Sequence, residues 1–321
     1  MAREERKVRR ENVRSVDTRT GVVRFDPGRS GKITGSRFLA VLGRDAYMTE
    51  FKAACLIGRI YSEKMENIYT KAGETIEPVI RSYIAENGDA LLSELKNHDD
   101  DVITVEEPIP KDVCGWDHFK DNDIFGGMVD GYILVNGRRA AVLEIKTSSR
   151  RWENGVIPEG YVMQGSLYAE LSGLDRVVFA VGYPSDEEYE DPEKWIPDGG
   201  NFELFVTEKR DISLEMAEAE GWYRNYIEKG VTPGWTDSDD PISHMFSEDT
   251  VDRIGGENMM RIKGYTARYG SGEDLSDIEE WITDLLCRCS IDGADRAVYT
   301  QNGFRFEVDM RGVPKLTVTK I

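Results

Sequence analysis

Two periods of apolar residues alternate along this chain, and the places where one gives way to the other mark its elements. Residues 128–135 and 139–146 are rich in β-branched and aromatic side chains, with Asn136-Gly137 between them. Two such runs around Asn-Gly predict a β-hairpin. Residues 176–182 form a nearly continuous apolar run, the mark of a buried strand, and 201–207 alternate as another. Helical spacing takes over at 161–172, where Met163, Leu167 and Leu171 fall at i, i+4 and i+8 ahead of a Ser172-Gly173 stop. Tyr161, Gln164 and Tyr168 make a second, polar-tipped row on that helix, placed to face the hairpin. Further helices are predicted near Arg37, with Thr34 or Ser36 as cap, and over 51–69, 212–228 and 275–287. Short strands at 102–105, 297–300, 304–309 and 316–320 complete the pattern.

The pattern thins in three places. Residues 1–33 show no hydrophobic periodicity and read as a basic arm, either disordered or DNA-contacting. Residues 185–200 form an acidic insertion, and 234–241 have linker composition. The expected division is therefore a basic arm at 1–33, a main domain at 34–240 and a small C-terminal appendage at 241–321.

Composition changes this picture in two respects. The chain of 321 residues is 40% hydrophobic and 31% charged, as in a soluble globular protein. No apolar run approaches the ~20 residues that span a bilayer, and the charged start lacks a signal peptide's apolar core. The four cysteines read as free thiols of a reducing compartment, so a cytoplasmic location without membrane partners is expected. The net charge of −19 argues against nucleic acid, whose binding is dominated by Lys and Arg. That charge is uneven, however: residues 1–33 hold 10 Lys/Arg against 5 Asp/Glu, a balance of +5, which leaves −24 for the rest. Acidic carboxylates offset by bound divalent cations keep DNA open as a partner.

The candidate chemistry lies in the hairpin. Glu144 and Lys146 share one face of the return strand while Leu143 and Ile145 share the other. Whether Asp130 joins them depends on the turn. A two-residue loop at 136–137 sets 130 opposite 143, on the face away from Glu144. A three-residue loop at 135–137, with Gly137 left-handed, or a nearby bulge puts all three side chains together, and the odd loop is the expectation. Upstream, Glu77 precedes Pro78, so either a helix starts there or a kink aims Glu77. The three histidines, His98, His118 and His244, have no ligand spacing with one another, which leaves carboxylates as the account of any metal.

Asp130, the Glu144-Ile145-Lys146 triplet and the Tyr161/Gln164 pair resemble the PD-(D/E)XK nuclease core, in particular the YqaJ or phage lambda exonuclease-like viral recombinase family. Gly73–Pro78 resembles that family's Gly-x-x-x-Glu-Pro segment, and residues 33–38 resemble its opening helix start. The likeness spans roughly residues 33 to 235. It implies an α/β (α+β) fold: a restriction-endonuclease-like core with a central mixed β-sheet flanked by helices and a small C-terminal α+β appendage.

The resemblance further implies a magnesium-dependent exonuclease, with manganese able to substitute, acting 5′ to 3′ on double-stranded DNA ends. Asp130, Glu144 and the Ile145 carbonyl would hold a first ion and Glu77 would serve a second. Lys146 would orient the attacking water and offset developing charge, Gln164 and Tyr161 would steady the lysine and water, and Ser36 and Arg37 would contact phosphate. The expected setting is a phage-infected or prophage-carrying bacterial host, with a single-strand annealing protein as partner and a homotrimer as the assembly. An iron–sulfur cluster of the kind held by some RecB-related nucleases is not expected, since Cys287-x-Cys289 lacks a third late cysteine. The alternatives are an endonuclease or end-trimming nuclease of the same core, or a non-catalytic DNA-end binder.

Overall fold

The computed structural model describes residues 3–251 and 254–321. Its contacts divide the described residues into two units that alternate along the sequence: 3–6, 32–48 and 63–223 form the first, and 7–31, 49–62, 224–251 and 254–321 the second.

The first unit is a mixed α/β structure built on five strands: β1 (Ile103–Glu106), β2 (Gly131–Val135), β3 (Arg138–Thr147), β4 (Arg176–Gly182) and β5 (Phe202–Glu208). Their order is β5-β4-β3-β2-β1, with β3 and β4 parallel and the other neighbours antiparallel. A parallel pair needs a crossover, which α3 (Glu159–Ser172) supplies, ending where Gly173 turns left-handed at φ 66°. One face of the sheet, carrying Ala141, Leu143, Ile145, Val178 and Ala180, packs on Ile76, Ile80 and Ile84 of the long helix α2 (Ile68–Leu91). The short helix α1 (Gly35–Val41) follows Ile33–Thr34, which pair in parallel with Phe125–Gly126.

Pro78 lies within α2, which starts ten residues earlier behind an Asn67/Thr70 capping box, so no helix begins at the proline. Its missing N–H leaves the Glu74 carbonyl without the usual helical donor. Residues 51–69 are not one helix: Glu50–Ile57 is helical and Tyr61–Glu66 is a strand. The acidic insertion is also structured, with a helix at Asp186–Glu190 and with Tyr189 and Trp195 buried in the core.

The second unit holds a four-stranded sheet, Glu248–Thr250, Arg296–Gln301, Phe304–Asp309 and Lys315–Lys320 in that order. Helices Gly256–Arg268 and Ser276–Cys289 contribute Ile262, Tyr265, Ile282 and Leu286 to its core, against Phe306 and Val308. The expectation of an unstructured arm is corrected here. Val13–Asp17 pairs with Val22–Phe25 as a hairpin, and Val16, Val23 and Phe25 are buried. The partners that order it are remote in sequence: Val16 N–H donates to the Asp292 carbonyl at 2.7 Å, and Phe25 N–H to that of Gly230 at 2.8 Å.

Candidate active site

The hairpin brings its acids together by a route other than the odd loop. Val135 pairs with Arg138 across a two-residue turn, with Asn136 at φ 51° and Gly137 at φ 75°, the pair of left-handed residues that a type I′ turn requires. The three-residue loop is thereby corrected. Parity is restored two pairs further in, where Leu134 faces Arg139 but Ile133 faces Ala141, so that Ala140 is bulged out. Partner numbers then sum to 274 instead of 273, and the same register carried one pair beyond Gly131–Leu143 sets Asp130 opposite Glu144.

The contacts follow from that register. Asp130 Oδ2 accepts the Ile145 N–H at 2.7 Å. Lys146 Nζ donates to Glu144 Oε2 at 2.8 Å and lies 3.8 Å from Asp130 Oδ2. Gln164, reaching down from α3, donates its amide to the same Glu144 Oε2 at 2.8 Å. Tyr161, one turn earlier, has its ring centroid 5.5 Å from Lys146 Nζ and stacks on Trp152 at 5.6 Å. Asp130, Glu144, Lys146, Gln164 and Tyr161 therefore surround one point on the sheet face covered by α3.

Glu77 approaches from α2. It is held by Arg81, one turn on, whose Nε also donates to the Asp130 carbonyl at 2.9 Å. Sequence reasoning passed over Arg81, although its i+4 spacing from Glu77 is the signal for such a pair. It also passed over Trp152, which backs the Tyr161 ring and stacks in turn on Phe205 at 5.4 Å.

The approach of α1 is set by Gly35. A Cβ there would fall 2.6 Å from Gln164 Cγ, so only glycine lets the start of α1 lie against α3. Gly35 N–H donates to Tyr168 Oη at 3.2 Å. Ser36 is exposed just beyond, 3.1 Å from the Thr34 hydroxyl, and Arg37 is half-buried beside it.

Charge is concentrated in this site. Glu144 is fully buried, and its Oε1 has no hydrogen-bond partner among the described residues. Burial pushes its pKa up to about 8, with Lys146 opposing and Asp130 and Glu77 reinforcing the rise. Burial likewise raises Glu77, aided by Asp130 and opposed by Arg81. Burial disfavours the Lys146 charge, but Glu144 and Asp130 outweigh it and carry the ammonium above its ordinary range. The excess of carboxylate over ammonium, and a buried acceptor with nothing to accept, suit a small cation. Among the described residues no three His, Cys, Asp or Glu side chains close around one point. An ion here would therefore rest on Glu144, Asp130, the Ile145 carbonyl and water, with Glu77 on Arg81 beside them.

No family model matches the chain. It is 30% identical over 252 residues to the uncharacterized protein MG373 of Mycoplasma genitalium, with 65% of this chain and 85% of that protein covered. The homologous uncharacterized protein of Mycoplasma pneumoniae is 29% identical over 263 residues at the same coverage. Among solved structures, an alkaline exonuclease from Laribacter hongkongensis overlaps 63% of this chain and 90% of its own at 21% identity and a TM-score of 0.39. A phage-related exonuclease from Haemophilus somnus 129PT overlaps 62% and 96% at 15% identity and 0.40. Overlaps at that level leave the chemistry to be read from this chain's own residues. No helix among the described residues is long and apolar enough to cross a membrane.

Proposed function

We propose that this chain, which belongs to the same family as the mycoplasma protein MG373, is a metal-dependent nuclease that hydrolyses double-stranded DNA from its ends. The observation that carries this reading is the meeting of Asp130, Glu144 and Lys146 about the Ile145 peptide, with one buried Glu144 oxygen left without a partner. Its motif order along the chain resembles that of the YqaJ and lambda exonuclease-like nucleases.

Glu144, Asp130 and the Ile145 carbonyl would hold magnesium, with manganese as a substitute. When bound, the ion would supply Lewis-acid stabilisation of phosphate charge and a more acidic water, and a second ion near Glu77 would share that load. The chain's own groups do the rest. Lys146 holds a fixed positive charge beside both carboxylates, where an attacking water is oriented and charge builds on phosphate oxygens. Gln164 fixes the Glu144 carboxylate through Oε2, which leaves Oε1 for the ion. Tyr161, backed by Trp152, walls the lysine against water. Ser36 and Arg37, at the start of α1, would contact phosphate. Through the same resemblance we propose 5′ to 3′ polarity, a role in phage-type recombination beside a single-strand annealing protein, and a homotrimer, the last tested by light scattering.

The test is degradation of linear duplex with magnesium, compared with chelator and with a covalently closed circle. Linear DNA should be consumed only with the metal, the closed circle should persist, and Glu144→Gln should bind DNA without turnover. Full activity in chelator or in that variant would sink the two-carboxylate mechanism.

A further inference from the structure

The second unit carries a folded segment in which positive charge is in excess. Residues 7–31 contain 7 Lys/Arg and 3 Asp/Glu, a balance of +4 in a protein of net charge −19. Val16, Val23 and Phe25 turn inward, Arg19 and Arg24 between them stay out, and Arg9, Arg14 and Arg29 on either side are exposed as well. The buried Asn12 ties several of them to one place. Its Nδ2 donates to the Arg59 carbonyl at 2.7 Å, and its Oδ1 accepts from Arg29 at 3.0 Å. Arg9 N–H donates to the Ile60 carbonyl at 2.8 Å, next to Arg59, and Arg24 stands opposite Ser15 on the hairpin.

Two observations separate this surface from an ordinary solvated face. Elsewhere among the described residues the exposed arginines that hold no carboxylate, Arg138, Arg150, Arg176 and Arg261, are spread over more than a hundred residues, while Arg139, Arg151, Arg268, Arg288 and Arg311 each hold one. In the basic segment Arg10 and Arg14 do so, with Asp249 and Asp26, but Arg9, Arg24, Arg29 and Arg59 form no ion pair among the described residues. Moreover, Arg59 sits at φ 53°, just past the helix Glu50–Ile57, in the left-handed position that glycine fills at least cost. A long cationic side chain is carried where the backbone alone favours none, and Asn12 pins the residue there.

We infer that Arg9, Arg24, Arg29 and Arg59 form a docking surface for the phosphate backbone of duplex DNA, independent of base sequence. Guanidinium groups free of carboxylates and held on a rigid hairpin match a phosphodiester lattice in charge and in paired donors. The choice of duplex DNA as the polyanion rests on the nuclease reading; the surface itself does not.

The experiment measures binding of the full chain to a fluorescent linear duplex in chelator across a potassium chloride series. Combining Arg9→Gln, Arg24→Gln and Arg59→Gly should weaken binding at least about tenfold near physiological salt and flatten the slope of log Kd against log salt by about 2–3, since each lost phosphate contact contributes about 0.9. Arg59→Gly alone should flatten it by about 0.9 while melting no lower than the parent, a combination that a merely structural arginine would not give. This single variant carries the test where the triple variant does not fold. Parental affinity and slope in both variants would overturn the proposal. So would parental binding to phosphatidylserine vesicles with none to duplex at the same salt. Because no metal is present, absence of DNA cleavage elsewhere would count against the nuclease reading without touching this result.

Discussion

The Asp130 carboxylate accepts the main-chain N–H of Ile145 at 2.7 Å, so the peptide joining Glu144 to Ile145 fixes the acid that stands beside Glu144. Asparagine keeps an oxygen for that N–H and loses only the charge; alanine loses both. Asp130→Asn should therefore melt close to the parent, and Asp130→Ala should be less stable by about 1–3 kcal/mol, the cost of stranding a buried donor. Both should lose magnesium-dependent turnover. Urea unfolding and a nuclease assay on the two variants check this, and an active Asp130→Asn enzyme would remove Asp130 from the chemistry.

Lys146 touches both carboxylates yet offers no lone pair to a cation while charged. Lys146→Met is expected to cut turnover about 100–1,000-fold, the usual loss on removing one stabiliser of transition-state charge. Magnesium affinity by calorimetry should survive. Loss of metal binding in this variant alone would contradict the assigned role.

In metal-free protein, burial drives Glu144 up to about 8 from an unfolded value near 4.5. Between those values the folded chain holds a proton that the unfolded chain has released, so stability is greatest below the window and falls as pH rises through it. The slope approaches about 1.4 kcal/mol per pH unit at most. Denaturant unfolding in chelator at either end of the window should show this loss, and Glu144→Gln should remove it. An unchanged slope in the variant would place the titrating group elsewhere.

Arg81 joins Glu77 to the Asp130 carbonyl and touches no expected ligand atom of Asp130 or Glu144 itself. Partners of this outer kind typically contribute 10–100-fold to metal affinity or activity. Arg81→Gln should lose about that much magnesium affinity while Arg81→Lys, which keeps the charge but not both donors, falls between. Titration calorimetry on the three proteins decides, and equal affinities would reduce Arg81 to a structural pair.

The α/β class was legible because its strands are dense and local: 176–182 is one apolar run, and Asn136-Gly137 announces its own turn. The bulge at Ala140 was not, since Arg138-Arg139-Ala140-Ala141 carries no glycine or other mark of one. The break at 58–60 does carry a mark, Gly58 at the helix C-cap, but the left-handed residue is Arg59 and the following strand, Tyr61–Glu66, is built largely from polar residues and methionine, so the helical spacing was read through it. The first hairpin escaped notice because its few apolar residues bury only with help from Gly230 and Asp292, two hundred or more residues away. The meeting of Asp130, Glu144 and Lys146 could be reasoned from parity, whereas Arg81 could be found only by asking what a helical acid has one turn along.

The extra residue at Ala140 turns the interval between the two carboxylates into a question of odd and even. A peptide of even length grafted into the tip at Asn136-Gly137 leaves both acids facing one another, because each added pair returns the ladder to the same side. A single residue inserted or deleted within either strand, between the tip and an acid, turns one of them away unless a bulge absorbs the difference, as it does here. Kindred chains are therefore better sought by the register of the two paired strands, bulge included, than by a fixed number of residues from acid to acid.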